Sequence, residues 1–298
     1  MSKKVVLAFS GGLDTSYCAK YLSETFGYEV HAVTINTGGF DKEDEVSLKE
    51  KAEKLGVASY RFVDASEKYY NDCVKYLIFG NVLKNNTYPL SVSAERTIQA
   101  QTIAEVALEI GADAIAHGST GAGNDQVRFD LIFQVMCPKI EIITPIRDLS
   151  LSREDEIQFL KNHNYEMDFD KAKYSINKGL WGTSVGGKET LTSQNYLPEE
   201  AFPSQIEKTE PSPLEIEFKN GELFSVNGDT FSHPVLAIQK IEELASPYGI
   251  GRDIHVGDTI VGIKGRVGFE AAAASIIIKA HHLLEKHTLS KYQQTIKS

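Results

Sequence analysis

The chain has 298 residues, 42% of them hydrophobic and 24% charged, with a formal net charge of −10. This balance is ordinary for a globular protein and excludes collagen, coiled coil and long disorder. The length can bury a large core and points to two domains. The acidic excess argues against a non-specific nucleic-acid binder but not against a nucleotide held by one loop.

Residues 5–9 form a continuous apolar run, the mark of a strand covered on both faces. Residues 14–26 then show helical spacing, with Tyr17, Tyr21 and Leu22 on one side. A second strand is expected at 30–35 and a charged amphipathic helix at 42–55, closed by Gly56. A third strand follows at 59–63, a helix at 97–110 ending at Gly111, and strands at 112–116 and 140–143. Alternating strands and helices imply a parallel sheet with helices on both faces, and such sheets bind ligands at the carboxyl ends of their strands.

The pattern changes after about residue 165. Residues 165–213 are rich in Gly, Ser, Thr and Pro and show no clear period, as in a functional or connecting segment. Runs at 214–218 and 223–226 flank Asn220-Gly221, a strong hairpin signal. A helix is expected at 235–245, a strand at 259–264 and a helix at 274–286. The expected fold is α/β: a parallel-sheet nucleotide-binding domain over 1–165 and a mixed α/β domain over 166–298.

The three cysteines, Cys18, Cys73 and Cys137, are far apart and form no CxxC. The N-terminus lacks a signal-peptide pattern, and no apolar run reaches the length of a membrane span. The expectation is a cytoplasmic chain without membrane or nucleic-acid partners and without a protein-held metal cluster. His281, His282 and His287 lack the offsets of a shared metal face and read as surface or interface histidines. Trp181 is expected to pack the two halves together. Glu43, Asp44 and Glu45 read as a solvated helix start that complements the dipole.

Two segments carry chemistry. Ser10-Gly11-Gly12-Leu13-Asp14-Thr15-Ser16 lies between the first strand and first helix. Its glycines allow close approach of a ligand, the helix start offers free N–H groups, and its hydroxyls add donors: an anion nest suited to pyrophosphate. Neither GxxxxGK[ST] nor GxGxxG is present. The structural alternative is a tight turn capped by Asp14. The second segment, 116–128, reads AHGSTGAGNDQVR and follows the fourth strand. Its glycines can bring amides against a ligand, Thr120, Asn124 and Asp125 offer polar groups, and Arg128 offers a fork for a carboxylate.

The first segment resembles the SGGxDS/T signature of the N-type ATP pyrophosphatases, of the adenine nucleotide alpha hydrolase-like fold. Both segments together resemble the argininosuccinate synthase family. Further matching stretches are Tyr174-Ser175, Leu180-Trp181-Gly182, Gly249-Ile250-Gly251-Arg252, Gly262-Ile263-Lys264 and Lys279-Ala280-His281. The resemblance implies an ATP-dependent ligase of arginine biosynthesis. It condenses citrulline with aspartate through a citrullyl-adenylate, releases AMP and pyrophosphate, and needs Mg²⁺. It assigns ATP to Ala8, Ser10, Gly11, Gly12, Leu13, Asp14, Thr15, Ser16, Ile35, His117 and Gly118. Aspartate falls to Thr120, Asn124 and Asp125. Citrulline falls to Tyr88, Ser93, Asn124, Arg128, Ser175, Ser184, Gly257 and Phe269. Asp14 and Asp125 are the candidate catalytic carboxylates. The resemblance also implies a homo-oligomer, a tetramer in the family; its C-terminal arm is expected to be short here.

Three positions depart from the family pattern. Ala122 stands where the second loop commonly has lysine, so a cation near the phosphates is either missing or supplied elsewhere, by Arg96 or Lys264. Gly257 and Phe269 stand where a glutamate and a tyrosine contact citrulline. Asp258 or Glu270 could compensate; alternatively the acceptor is an N-acylated citrulline with no ammonium to pair. Two other readings are a different adenylating enzyme of the same superfamily and a binding homologue without catalysis. Retention of Asp14, Asn124, Asp125 and Arg128 together speaks against the latter.

Overall fold

The computed structural model describes residues 2–121, 123–166 and 174–297. Contacts divide the chain into two compact units: Met1–Ala65 with Glu95–Lys173 and Asp258–Ile263, and Ser66–Ala94 with Tyr174–Gly257 and Lys264–Ser298.

The first unit is built on β1 (Lys4–Ala8), β2 (Glu29–Asn36), β3 (Ser59–Asp64), β4 (Ala114–Ala116) and β5 (Glu141–Ile143). They form one parallel sheet of order β3-β2-β1-β4-β5. The chain thus builds outward from β1 to one side, then returns to add β4 and β5 on the other. The reversal leaves a crevice at the carboxyl ends of β1 and β4. Val5, Val6 and Leu7 are fully buried, as the unbroken apolar run requires. Helix α1 (Leu13–Glu24) packs Leu22 into the same core as Val5, Leu7, Val30 and Ala32. Helix α2 (Lys42–Lys54) starts in a capping box between Asp41 and Asp44, with Glu43, Asp44 and Glu45 in its first turn.

Two short helices, α3 (Ser66–Tyr69) and α4 (Lys75–Phe79), flank a π-helical turn in the second unit. Their segment has no counterpart in the expected elements. Helix α5 (Ser91–Glu109) begins six residues before the expected start. The first unit is completed by α6 (Asp125–Met136), α7 (Pro145–Asp148) and α8 (Arg153–Asn162).

The second unit contains a four-stranded sheet of order β11-β12-β7-β6. Strands β6 (Ser175–Gly179) and β7 (Gly182–Gly186) fall in the stretch that shows no period. In β7 the reason is burial on both faces: Gly182, Thr183, Ser184 and Val185 are all buried, so small residues replace polar–apolar alternation, whereas β6 is largely exposed. Strands β8 (Ile216–Lys219), β9 (Glu222–Val226) and β10 (Asp229–Thr230) form a three-stranded sheet. The β8–β9 turn has Asn220 at φ 55° and Gly221 at φ 84°, the left-handed pair of a type I′ turn. Helices α9 (Pro234–Ala245), α10 (Ala272–Thr288) and α11 (Lys291–Lys297) complete the unit.

The expected strand at 259–264 is incorrect. Strands β11 (Arg252–Asp258) and β12 (Lys264–Glu270) lie on either side of it, and the residues between form a turn. Thr259 closes that turn, its amide bonding Ile263 O at 2.7 Å and its oxygen accepting from Ile263 N at 2.9 Å. Ile260, Val261 and Ile263 are exposed, so their β-branched character reflects no strand burial. His281 is also not a surface histidine: it is buried and its Nδ1 lies 2.9 Å from Asn81 Oδ1. Trp181 is buried, and its indole donates to Pro89 O of the same unit at 3.0 Å. Among the described residues no helix is long and apolar enough to cross a membrane.

Where α8 lies against α1, Glu156 is 3% exposed and its carboxyl meets that of Asp14. Burial, followed by the Asp14 charge, pushes Glu156 up to about 8. A carboxyl raised on folding stabilises the folded state at low pH, and that contribution is lost as pH rises through the raised value. Thermal unfolding of the protein is therefore expected to show Tm falling between about pH 5 and pH 9. Glu156→Gln is expected to match the parent at the acid end and exceed it at the alkaline end; parallel curves would contradict the assignment.

Candidate active site

The loop after β1 is shaped by its own hydrogen bonds. Phe9 N bonds Val33 O at 2.9 Å and Thr34 Oγ1 donates to Phe9 O at 2.7 Å, fixing the chain where it leaves the sheet. Gly11 then turns with φ 71°, and a Cβ there would lie 2.4 Å from Leu48 Cδ2. Gly12 caps α1 with no side-chain hydrogen bond. Asp14 is therefore not the N-cap residue, although its carboxyl hydrogen-bonds its own backbone amide in the first turn. Thr15 Oγ1 lies 3.2 Å from Ser10 Oγ and accepts from Ser10 N at 3.3 Å. Ser10 and Gly12 are exposed, whereas Ser16 is buried. Ala8 ends β1, and Ile35 lies buried near the end of β2. There Asn36 Oδ1 accepts from the amides of Gly38, Gly39 and Phe40, ordering a further glycine turn.

The loop after β4 meets the first. A Cβ on Gly118 would lie 3.1 Å from Asp14 C and Cβ, so the two loops touch through glycine. His117 is 1% exposed. Its Nδ1 accepts from Ser119 N at 3.2 Å, which leaves Nε2–H to face Asp130 Oδ1 at 2.9 Å. Arg147 Nη1 donates to Asp130 Oδ2 at 2.7 Å. Burial opposes the Asp130 charge, but the His117 and Arg147 hydrogen bonds outweigh it and hold the carboxyl below its ordinary range. The His117 ring is thus committed inside the protein, and its position can offer a nucleotide only backbone groups.

Asn124, Asp125 and Arg128 come together at the start of α6, with Thr120 exposed nearby in sequence. Asp125 Oδ1 accepts from Arg128 Nη1 at 2.8 Å, and Oδ2 accepts from Arg96 Nε at 3.0 Å. Asn124 Oδ1 accepts from Ile260 N at 2.7 Å. Arg96 also donates to Glu95 Oε1 at 3.1 Å and Gln99 Oε1 at 2.7 Å. That guanidinium is committed to two carboxylates and an amide, which makes it a poor substitute for a phosphate-facing lysine. Ala122 lies outside the described residues.

In the second unit, Ser184 pairs with Phe269 on β12 and with Asn177 on β6, and Ser175 lies two residues from Asn177. Opposite and alternate positions share a face, so Ser175, Ser184 and Phe269 do too. Phe269 packs on Tyr88 at 5.1 Å, and Tyr88 stacks on His255 at 5.0 Å. Ser91 Oγ donates to Tyr88 OH at 3.4 Å, two residues before Ser93 on α5. A Cβ on Gly257 would lie 2.6 Å from His255 Nε2, so the imidazole fills the space beside that residue. Burial, then the Lys84 charge, lowers the His255 pKa, and its Nδ1 is buried without a hydrogen-bond partner. Glu270, the carboxylate next to Phe269 in sequence, is buried and accepts from Ser204 Oγ at 2.9 Å, with Arg252 Nε 3.6 Å away.

Sequence reasoning missed Glu95, Gln99, Glu156 and His255. Three carried a signal: Glu95 and Gln99 are four apart on one helix, and Glu156 is four before the buried Leu160. The pairings of Asp130 with Arg147 and His117 join separate elements and left none.

Comparison with known proteins accounts for both units. Residues 4–166 match the arginosuccinate synthase N-terminal HUP domain, and residues 174–298 match the arginosuccinate synthase C-terminal domain. The chain is 39% identical over 295 residues to the argininosuccinate synthase of Methanocaldococcus jannaschii, covering 98% of this chain and 74% of the relative. It is 40% identical to that of Dehalococcoides mccartyi, covering 100% and 74%, and 40% identical to that of Pyrococcus furiosus, covering 99% and 72%. With its two glycine loops on adjacent strands and both family domains matched, the chain belongs to the argininosuccinate synthase family.

Proposed function

We propose that the protein uses ATP to condense citrulline with L-aspartate, by the adenylating route the sequence resemblance implies. The observation that carries the reading is the meeting of Gly118 with Asp14 at the crevice between β1 and β4, beside the helix start that Gly12 leaves without a side-chain cap. Such an amide-lined corner suits the phosphates of a nucleotide. The citrulline ureido oxygen bonds the α-phosphorus, the bond to the β-phosphate oxygen breaks, and pyrophosphate leaves. The aspartate amine then bonds the activated ureido carbon, the carbon–oxygen bond breaks, and AMP leaves with loss of a proton. The chain's contribution is positioning and charge stabilisation rather than a covalent nucleophile.

In the first unit the ATP contacts are assigned to Ala8, Ser10–Ser16, Ile35 and the backbone at His117 and Gly118. Thr120, Asn124 and Asp125 are assigned to aspartate, and Arg128 to a citrulline carboxylate. In the second unit the face carrying Ser175 and Ser184 offers hydroxyls to a neutral side chain. Among the described residues no three His, Cys, Asp or Glu side chains converge as a cage. Mg²⁺ would be carried on the nucleotide phosphates, with Asp14 at the start of α1 a candidate ligand. When bound, the ion neutralises charge on the departing pyrophosphate. The same proposal takes 1–165 as the nucleotide domain and 166–298 as the synthetase domain, in a cytoplasmic homo-oligomer. The spans of the two family models and the three unpaired thiols support the domain and compartment assignments.

Pyrophosphate release from ATP is expected only when citrulline and aspartate are supplied together; release that ignores both would overturn the reading. Asp125→Ala is expected to lower kcat/KM on the order of a hundredfold, and near-normal turnover would discredit the subsite.

A finer proposal concerns the acceptor. His255 fills the space beside Gly257, and Glu270, one of the two carboxylates that could stand in there with Asp258, is engaged by Ser204. An N-acylated citrulline suits this surface. Its kcat/KM, as the N-acetyl or N-succinyl compound, is expected to exceed that of plain citrulline; the reverse order would sink the idea.

A further inference from the structure

Asp125 presents a problem for its assigned role. Each of its oxygens is held by an arginine, Arg128 on Oδ1 and Arg96 on Oδ2. A carboxylate between two guanidiniums is a weak partner for an ammonium unless one of them is neutralised elsewhere. The structure supplies that neutraliser. Glu95 sits one residue before Arg96, and its carboxyl is 2% exposed against 37% for Asp125. Glu95 Oε1 accepts from Arg96 Nη1 at 3.1 Å and from Gln99 Nε2 at 2.9 Å, while Oε2 is buried without a partner. The four groups form a chain of contacts, Glu95 to Arg96 to Asp125 to Arg128, with Glu95 the least exposed of them.

We propose that Glu95 is a positioning residue for the amino-donor subsite, acting through Arg96 to set how freely Asp125 can take the substrate's ammonium. The inference rests on the assignment of aspartate to Asp125. With Glu95 ionised, the two carboxylates balance the two guanidiniums. With Glu95 protonated, the cluster carries one net positive charge, Arg96 turns its full field on Asp125, and the ammonium is disfavoured. The charged groups facing Glu95 are Arg96 from its own helix and Asp125 from α6; the segment after β2 contributes the Thr37 hydroxyl, which accepts from Gln99 Nε2 at 3.3 Å. Burial, partly offset by the Arg96 charge, pushes Glu95 up to about 7. The switch between the two charge states therefore falls at neutral pH rather than in the ordinary carboxylate range.

The test is the KM for aspartate, read by pyrophosphate release at saturating ATP and acceptor, from about pH 6 to pH 8. The substrate's carboxylates stay ionised and its ammonium protonated across this window. In the parent protein KM is expected to fall about tenfold as pH rises, with a bend near 7 and little change in kcat. Glu95→Gln keeps the Oε1 acceptor and the shape but cannot ionise; its KM is expected to stay at the acid-limb value throughout. Glu95→Asp is expected to restore a pH-dependent KM, which a packing role alone would not do. A Glu95→Gln profile that follows the parent overturns the proposal, as does a parent KM that is flat over the window, a result independent of how the variants fold. If citrulline compounds and aspartate elicit no pyrophosphate at any pH, the functional reading itself fails and the inference falls with it.

Discussion

The chemistry of this chain depends on how β1 ends. Val5, Val6 and Leu7 have no exposed surface and are paired on both sides, so the strand cannot shift or slide without exposing its core face. Just past it, bonds from Phe9 and Thr34 fix the exit, and Gly11 turns the chain where a side chain would strike Leu48. The position of α1, and with it Asp14 and the uncapped start at Gly12, follows from those few contacts. Because β4 pairs directly with β1, the second glycine loop is delivered to the same corner. Two loops about a hundred residues apart meet there as a consequence of strand order.

A second constraint is the cost of buried charge in an acidic protein. Glu95 and Glu156 are both nearly inaccessible, and both touch a carboxylate assigned to the site, directly or through an arginine. Burial holds each closer to neutrality than a surface carboxylate would be. The overall charge of −10 thus overstates the field at the two glycine loops. Arg96, Arg128 and Arg147 are gathered around Asp125 and Asp130, so local electrostatics there are set by a few paired groups.

Much of the nucleotide half was legible before any coordinates. Its inner strands β1, β2 and β4 are largely buried and read as apolar runs, and its helices end at Gly56 and Gly111 where expected. The glycine loops were legible because their spacing is unusual and follows a strand. The second half was harder for physical reasons. In β7, small buried residues erase the alternation that marks a strand, and the exposed Ile260, Val261 and Ile263 imitate one in a turn. Arginine partners were the least legible of all. Nothing local shows that Arg96 binds Asp125 or that Arg147 binds Asp130, since those pairs exist only once separate helices are packed. The two departures at Gly257 and Phe269 were visible, but the imidazole that fills the neighbouring space was not.

The bare cap at Gly12 bears on more than recognition. A serine or aspartate at that position would satisfy an amide of α1 from within and add about 1 kcal/mol to the helix. Glycine forgoes this, so the fold carries a small local deficit that an incoming phosphate can make good. A bound nucleotide would then complete the helix's own hydrogen bonding. In such an arrangement the ligand becomes a structural component of the domain it visits, and the first turn of α1 is expected to be firmer when the enzyme is loaded than when it is empty.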